Sequence, residues 1–366
     1  MRIALHVDCP PWRPTGIGRY MLELTRALVP LAERMEAWSR PSWLRAARRT
    51  FSGMDVPVYP TLSWRGYRDA LLPKLHTRLR DIALVHSPNG RLLPSSLGLP
   101  QTVMVHDLAL FLYDDIKPPG ETEAWRRRIS RCAGEADAIL VNSLATGRDL
   151  VDLFPETEGR VFHTPLGVDH IRNAGNRRSA SPRHILAVGR VEPRKNYTGL
   201  LRGYRELVSN QGSTPPLVIA GGAGYRADRV LGLIDELDLA NRVRMEGYVT
   251  DERLHRLYAD AHCLVHPALH EGFGFTVPEA LGFGVPVVCS GAGALGELFS
   301  DAAYIVDPGD PTSIACGIAR ALAEGLSADQ AGAVEDLFSR LTWAGCAARS
   351  MEAFRCVLGA RRPGRP

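Results

Sequence analysis

The chain has 366 residues, of which 45% are apolar and 23% charged, and a formal net charge of +4. That length exceeds one ordinary domain and suits two, each with its own core, and the composition is that of a globular chain rather than a disordered one. The small charge, with no basic stripe or nucleic-acid motif, argues against a nucleic-acid partner. No run of eighteen apolar residues occurs, so no segment is expected to span a bilayer.

The first residues, MRIALHVDCP, reach Asp8 almost at once and read as a buried strand over 2–8, not as a signal peptide. Thr15-Gly16-Ile17-Gly18-Arg19-Tyr20 follows, opening a helical pattern through Tyr20, Leu24, Leu28 and Leu31. A helix through 42–51 would put Trp43, Leu44, Ala47 and Phe51 on one face and arginines opposite. Apolar strands recur at 82–85, 102–105, 138–141 and 161–163, with helical segments at 120–134 and 144–153 between some of them. The stretch 172–183 (RNAGNRRSASPR) has no periodicity and reads as a linker. Strands then return at 184–188, 217–220, 243–249, 263–266, 286–289 and 304–306. Helices are expected at 195–209, 227–237, 252–259 and 276–283, and three more close the chain at 311–324, 327–340 and 342–358 before a frayed tail. Strands alternating with helices predict α/β architecture with parallel sheets. Two such halves leave a cleft lined by the loops after Asp8, Val105, Val188, Ala220 and His266, beyond the carboxyl ends of the strands.

Seven cysteines at scattered positions, odd in number and without C-x-x-C spacing, fit reduced thiols in a cytoplasmic chain. Only three lysines (Lys74, Lys117, Lys195) occur among 44 basic residues, so each survivor hints at chemical need.

The loops carry unusual residues. Gly16 and Gly18 allow a close backbone approach at a helix start, where anions are favoured, although a tight turn alone would also select glycine. Gly189–Asn196 places Arg190 and Lys195 across a turn into a helix, suited to an anion such as a phosphate. His266–Ala280 holds two acids, Glu271 and Glu279, around Gly272 and Gly274. The amides of Phe275, Thr276 and Val277 are then able to face a ligand, and the carboxylates to accept hydrogen bonds from sugar and ribose hydroxyls. His106, followed by Asp107, sits at a strand end, either as a structural ring or as a group at the cleft mouth. Neither D-x-D, H-E-x-x-H nor C-x-x-C is present. No metal site and no cofactor are therefore expected, and positive side chains must balance a leaving diphosphate.

These residues resemble the retaining, metal-independent glycosyltransferases of the GT-B fold, glycosyltransferase family four, also called glycosyl transferases group one. The resemblance covers nearly the whole chain. It rests on G-I-G-R-Y (16–20), V-H-D-L (105–108), P-L-G-V-D (165–169), V-G-R-V-E-P-R-K-N (188–196), I-A-G-G (219–222), G-Y-V (247–249), H-E-G-F-G-F (270–275) and the Glu271/Glu279 pair. It implies two facing Rossmann-like domains. An acceptor-binding domain would cover 1–171 and a nucleotide-sugar-binding domain 172–341, with a last helix and tail (342–366) crossing back to the first. Arg190 and Lys195 would hold the donor diphosphate, Glu271 the transferred sugar and Glu279 the ribose. Backbone from Phe273 through Gly274, Phe275, Thr276 and Val277 would contact sugar and phosphate. Gly16 and Gly18 would let the first loop close over the phosphates, Gly222 would line the donor site, Tyr248 would meet the base with its backbone, and His106 would approach the donor sugar. The G-I-G-R-Y start resembles mannosyltransferases using GDP-mannose, while UDP- and dTDP-sugars suit the same motifs. The acceptor would be a saccharide, a lipid-linked sugar or a small metabolite. An epimerase or phosphorylase on the same architecture, or a silent partner of a true transferase, are the alternatives. Residues 38–68, with Trp38, Trp43, Phe51, Tyr59, Trp64 and Tyr67 among arginines, fit packing on the sheet, acceptor contact or peripheral membrane contact.

Overall fold

The computed structural model describes residues 1–7, 15–60, 81–172 and 178–360. Asp8 and the loop after it, Trp64 and Tyr67 with Arg65 and Arg68, Lys74, residues 173–177 and residues 361–366 lie outside the described residues. Two compact units form. Unit 1 gathers Met1–Leu108, Ala124–Gly167 and Leu341–Pro366, and unit 2 gathers Ala109–Glu123 and Val168–Arg340. The segment 109–123, which chain order puts well before the linker, therefore has its contacts in unit 2.

Unit 1 is built on a sheet of seven parallel strands: β1 (Arg2–Val7), β2 (Arg34–Ser39), β3 (Val58–Pro60), β4 (Leu84–Ser87), β5 (Gln101–Val105), β6 (Ala138–Val141) and β7 (Val161–His163), in the order β3-β2-β1-β4-β5-β6-β7. Strands β2 and β3 were not expected. Arg34 and Glu36 break the apolar run, yet Glu36 is buried because its carboxylate accepts a 2.5 Å hydrogen bond from the Trp38 indole. Helix α1 (Gly16–Leu28) starts where the Thr15 hydroxyl accepts from the Gly18 amide at 3.1 Å, and it buries Tyr20, Met21, Leu24 and Leu28. A short 3-10 turn over Pro41–Trp43 leads into α2 (Leu44–Thr50). There Ala47 and Phe51 are buried in unit 1, Arg45, Arg48 and Arg49 are exposed, and the Arg40 guanidinium lies 5.0 Å from the Trp43 ring. Next in the chain come α3 (Ala109–Leu112), which falls in unit 2, α4 (Pro119–Glu135), which crosses from unit 2 into unit 1 at Ala124, and α5 (Leu144–Leu153) of unit 1, capped by Ser143.

Unit 2 opens with α6 (Asp169–Arg172). Its six parallel strands are β8 (His184–Val188), β9 (Leu217–Ala220), β10 (Val243–Gly247), β11 (Ala261–His266), β12 (Val287–Ser290) and β13 (Tyr304–Val306), in the order β10-β9-β8-β11-β12-β13. Strand β10 ends two residues before the expected boundary, where Gly247 turns to φ 65°. The helices are α7 (Tyr197–Asn210), α8 (Ala227–Glu236), α9 (Asp251–Ala259), α10 (Thr276–Gly282), α11 (Ala294–Phe299), α12 (Pro311–Glu324) and α13 (Ala328–Arg340). Helix α7 starts at Tyr197, not at Lys195 as expected, because Asn196 takes a left-handed conformation (φ 57°) and caps it. One contiguous core joins Ile185, Leu201, Tyr204, Ile219, Val265 and Ile318. At Gly203 helices α7 and α12 meet closely: a Cβ there would stand 2.8 Å from the Pro311 carbonyl oxygen.

The last helix, α14 (Trp343–Ala360), belongs to unit 1 and packs on α1, β6 and β7. It buries Trp343, Cys346, Ala347, Ser350, Met351, Phe354 and Val357, the three-and-four spacing of one helix face. Gly167 has no room for a side chain, because a Cβ would run into Trp343. In both sheets the strand order reverses beside the first strand of the unit, between β1 and β4 and between β8 and β11. Ligands of open parallel sheets bind beyond the carboxyl ends of the strands at such a point. No described helix is long and apolar enough to cross a membrane.

Candidate active site

In unit 2 the turns after β8 and β11 flank the reversal point. The first begins at Gly189, which sits at φ 141° and donates its amide to Ala220 O at 2.9 Å, while its carbonyl accepts from the Tyr197 hydroxyl at 2.7 Å. Gly221 lies so close that a Cβ on it would overlap the Gly189 carbonyl, whereas Gly222, singled out from the sequence, has open space. Arg190 is exposed and makes no ion pair among the described residues. Pro193–Lys195 form a 3-10 turn, and Asn196 ties it down. The Asn196 Oδ1 accepts from Gly199 N at 3.2 Å, and its Nδ2 donates to Pro267 O at 3.0 Å and Pro308 O at 2.7 Å. One side chain thus binds the β8 turn to the β11 loop.

The β11 loop carries Glu271, which is only 6% exposed. Its Oε1 pairs with the Lys195 ammonium and accepts from His266 Nε2 at 3.2 Å, and its Oε2 takes Arg194 Nη1 at 2.8 Å. Arg194 also donates to His270 O at 3.0 Å and reaches the buried Glu192 at 3.3 Å, and Glu192 lies 3.8 Å from Lys117 Nζ. Burial alone pushes the Glu271 carboxyl up. The charges of Arg194 and then Lys195, together with the His266 hydrogen bond, outweigh it and hold the group well below the usual carboxylate range. His266 is shifted down, by burial first and then by Lys195. A neutral ring facing a carboxylate carries its proton on Nε2, so Nδ1 accepts from the Thr276 hydroxyl at 3.3 Å.

Gly274 sits at φ 83° with no space for a Cβ, which would lie 2.6 Å from Leu295 Cδ2. Phe273 is buried against Phe275 at 4.9 Å between centroids and Phe299 at 6.3 Å. Of the three amides expected to face a ligand, that of Val277 is turned inward, donating to Gly274 O at 3.0 Å. Glu279, on α10, accepts from the Tyr258 hydroxyl at 2.8 Å. Burial first, and then Glu279, push the Tyr258 phenol far up, so it stays a donor. Tyr248, just after β10, is 71% exposed.

In unit 1, His106 donates from Nε2 to Pro88 O at 2.8 Å and stands edge-on to Tyr20 at 5.1 Å; burial holds it below the ordinary histidine value. The Gly18 amide is used by the Thr15 cap, and Gly16 is exposed at the helix start. The structure thus joins Lys195 to Glu271 directly, keeps Arg190 on the same turn and Glu279 on the following helix, and sets His106, Gly16 and Gly18 in the other unit. Sequence reasoning missed Arg194, His266 and Glu192. Arg194 stood in the same R-K-N turn, but nothing in the spacing showed which of three basic neighbours would face inward.

Two Rossmann-like sheets of parallel strands, with a cationic turn and a buried carboxylate at the reversal point of the second, are the architecture on which GT-B glycosyltransferases are built. The chain belongs to the GT-B glycosyltransferases: residues 14–172 match the family described as Glycosyltransferase Family 4, and residues 172–333 match Glycosyl transferases group 1. It is 29% identical to the O-antigen chain mannosyltransferase B of Escherichia coli, over 98% of this chain and 100% of that one. It is 28% identical to a D-inositol 3-phosphate glycosyltransferase of Acidothermus cellulolyticus, over 75% of this chain and 65% of that one. In fold it is similar to Anabaena HepE in complex with UDP and glucose (TM-score 0.72, 17% identity, 97% of this chain and 100% of that one). A sucrose-phosphate synthase from Thermosynechococcus elongatus is comparably similar (TM-score 0.71, 19% identity, 98% and 100%).

Proposed function

We propose that the chain transfers mannose from GDP-mannose to a hydroxyl of a saccharide acceptor, retaining the anomeric configuration and using no metal. Unit 2 binds the donor and unit 1 the acceptor. The observation that carries this reading is the Lys195–Glu271–Arg194 cluster at the reversal point of the second sheet. Glu271 keeps Arg194 and His266 when Lys195 turns away. The ammonium can therefore move onto a diphosphate without stranding a buried charge. The mannosyl donor is suggested by the name of the E. coli relative that aligns over its whole length.

In the proposed step the bond from sugar C1 to the leaving phosphate oxygen loosens first. The acceptor oxygen then bonds to C1 on the same face and gives its proton to the departing phosphate oxygen. The protein contributes placement and charge: Arg190 and Lys195 on the diphosphate, Glu271 on the sugar hydroxyls, Glu279 on the ribose, and His106 toward the donor sugar. In this reading cations in these places take the role that a divalent metal plays elsewhere.

The test is a transfer assay with labelled GDP-mannose and UDP-glucose, a lipid-linked saccharide acceptor, and EDTA. The expected result is α-linked mannosyl product from GDP-mannose, undiminished by EDTA, with Lys195→Ala lowering turnover by about 10²-fold, as for one lost donor of an anion hole. Loss of product on chelation with rescue by Mg²⁺ refutes the metal-free step. A folded Lys195→Ala enzyme with wild-type turnover refutes the diphosphate assignment.

A further inference from the structure

Glu271 meets its partners unequally. Lys195 and His266 share Oε1, while Arg194 reaches Oε2. Lys195 is a point charge on a flexible stem, suited to changing partners, whereas the guanidinium is a planar fork that fixes direction. That fork is anchored on three sides: Glu192 Oε1 at 3.3 Å, His270 O at 3.0 Å and Glu271 Oε2 at 2.8 Å. Its backbone is fixed as well, since Arg194 O accepts from Leu269 N at 2.9 Å, two residues before Glu271. The side chain is only 17% exposed, so its contacts are poorly screened. Glu192, its anchor, is itself buried and backed by Lys117 from the 109–123 segment.

We propose that Arg194 is a positioning residue: braced by Glu192, it holds Glu271 in one place and one rotamer once Lys195 has moved to the diphosphate, and so governs recognition of the transferred sugar rather than of the nucleotide. The proposal deepens the donor-site reading above and rests on it. Two further observations support it. Arg194 is the largest of the influences that hold the buried carboxylate ionised against the cost of burial. The other groups facing Glu271 are Lys195, the neutral His266 and the Tyr197 phenol, whose own value burial drives far up. None of these replaces a fixed positive charge on Oε2.

The experiment compares wild type with Arg194→Ala, Arg194→Lys and Glu192→Gln. Calorimetric titration with GDP-mannose and with GDP is paired with the pH profile of kcat/KM; UDP-glucose and UDP are used instead if wild type prefers them. For Arg194→Ala, GDP affinity is expected to stay within about twofold while GDP-mannose affinity falls about tenfold. The acid limb of kcat/KM should move upward by about one pH unit, because Glu271 then takes up a proton more easily. Arg194→Lys restores the limb but only part of the sugar-dependent affinity, and Glu192→Gln shows the same losses in weaker form. Equal losses for GDP and GDP-mannose, or an unmoved acid limb in folded variants, overturn the proposal. If Arg194→Ala does not fold, the other two variants decide by the same comparison. A wild-type chain that binds no nucleotide sugar sinks the donor-site reading itself, a result distinct from normal wild type with normal variants.

Discussion

At the scale of single residues, two adjacent glycines beside the turn after β8 differ sharply in the room they have. A side chain at Gly221 would overlap the Gly189 carbonyl, a backbone atom that cannot swing aside. Gly221→Ala is expected to push that turn outward, cost about 2–4 kcal/mol in urea unfolding and weaken nucleotide binding along with it. Gly222→Ala, with open space, should change unfolding by less than about 1 kcal/mol; the reverse ranking in denaturation midpoints would sink this account. The sequence showed the glycine pair but not which member was crowded, because that depends on the register between β8 and β9, where Val188 stands opposite Ala220. Lys195 and Glu271 were each singled out by residue type, but their direct pairing and the inward Arg194 depend on a 3-10 turn that periodicity does not reveal.

At the scale of elements, Asn196 joins a turn, a helix and a neighbouring loop. It combines positive φ, an N-cap and two donations to carbonyls. Asn196→Ala should lose all three and destabilise by about 3 kcal/mol; Asn196→Gly keeps the permitted φ and should be milder by about 1 kcal/mol. Equal urea midpoints for the two would show that backbone strain contributes nothing there. Most strands of both sheets were legible because doubly covered parallel strands are nearly continuous apolar runs. Strand β2 escaped because its buried acid finds a partner within its own strand, and α11 because six residues give too little periodicity to read.

At the scale of the whole molecule, five histidines among the described residues, His86, His106, His184, His262 and His266, are held below the ordinary value, chiefly by burial; His86 falls to about 3, with His106 adding to the effect. The unfolded chain binds protons at these rings from about pH 6.5 downward while the folded chain refuses them, so stability should fall as pH drops from about 6.5 towards 3. Glu271 adds to the loss only at lower pH, as acid passes below the unfolded carboxylate value towards its depressed folded one. Urea midpoints at pH 7.5 and 5.0 check this, and an unchanged or higher midpoint at pH 5.0 contradicts it. Helix α14 carries a last consequence. It covers α1, β6 and β7 but follows all of unit 2 in the chain. On the ribosome the earlier-made sheet must wait with that face bare until some 170 later residues have emerged. The half translated first is therefore the half completed last, and it is the one most in need of chaperone cover during synthesis.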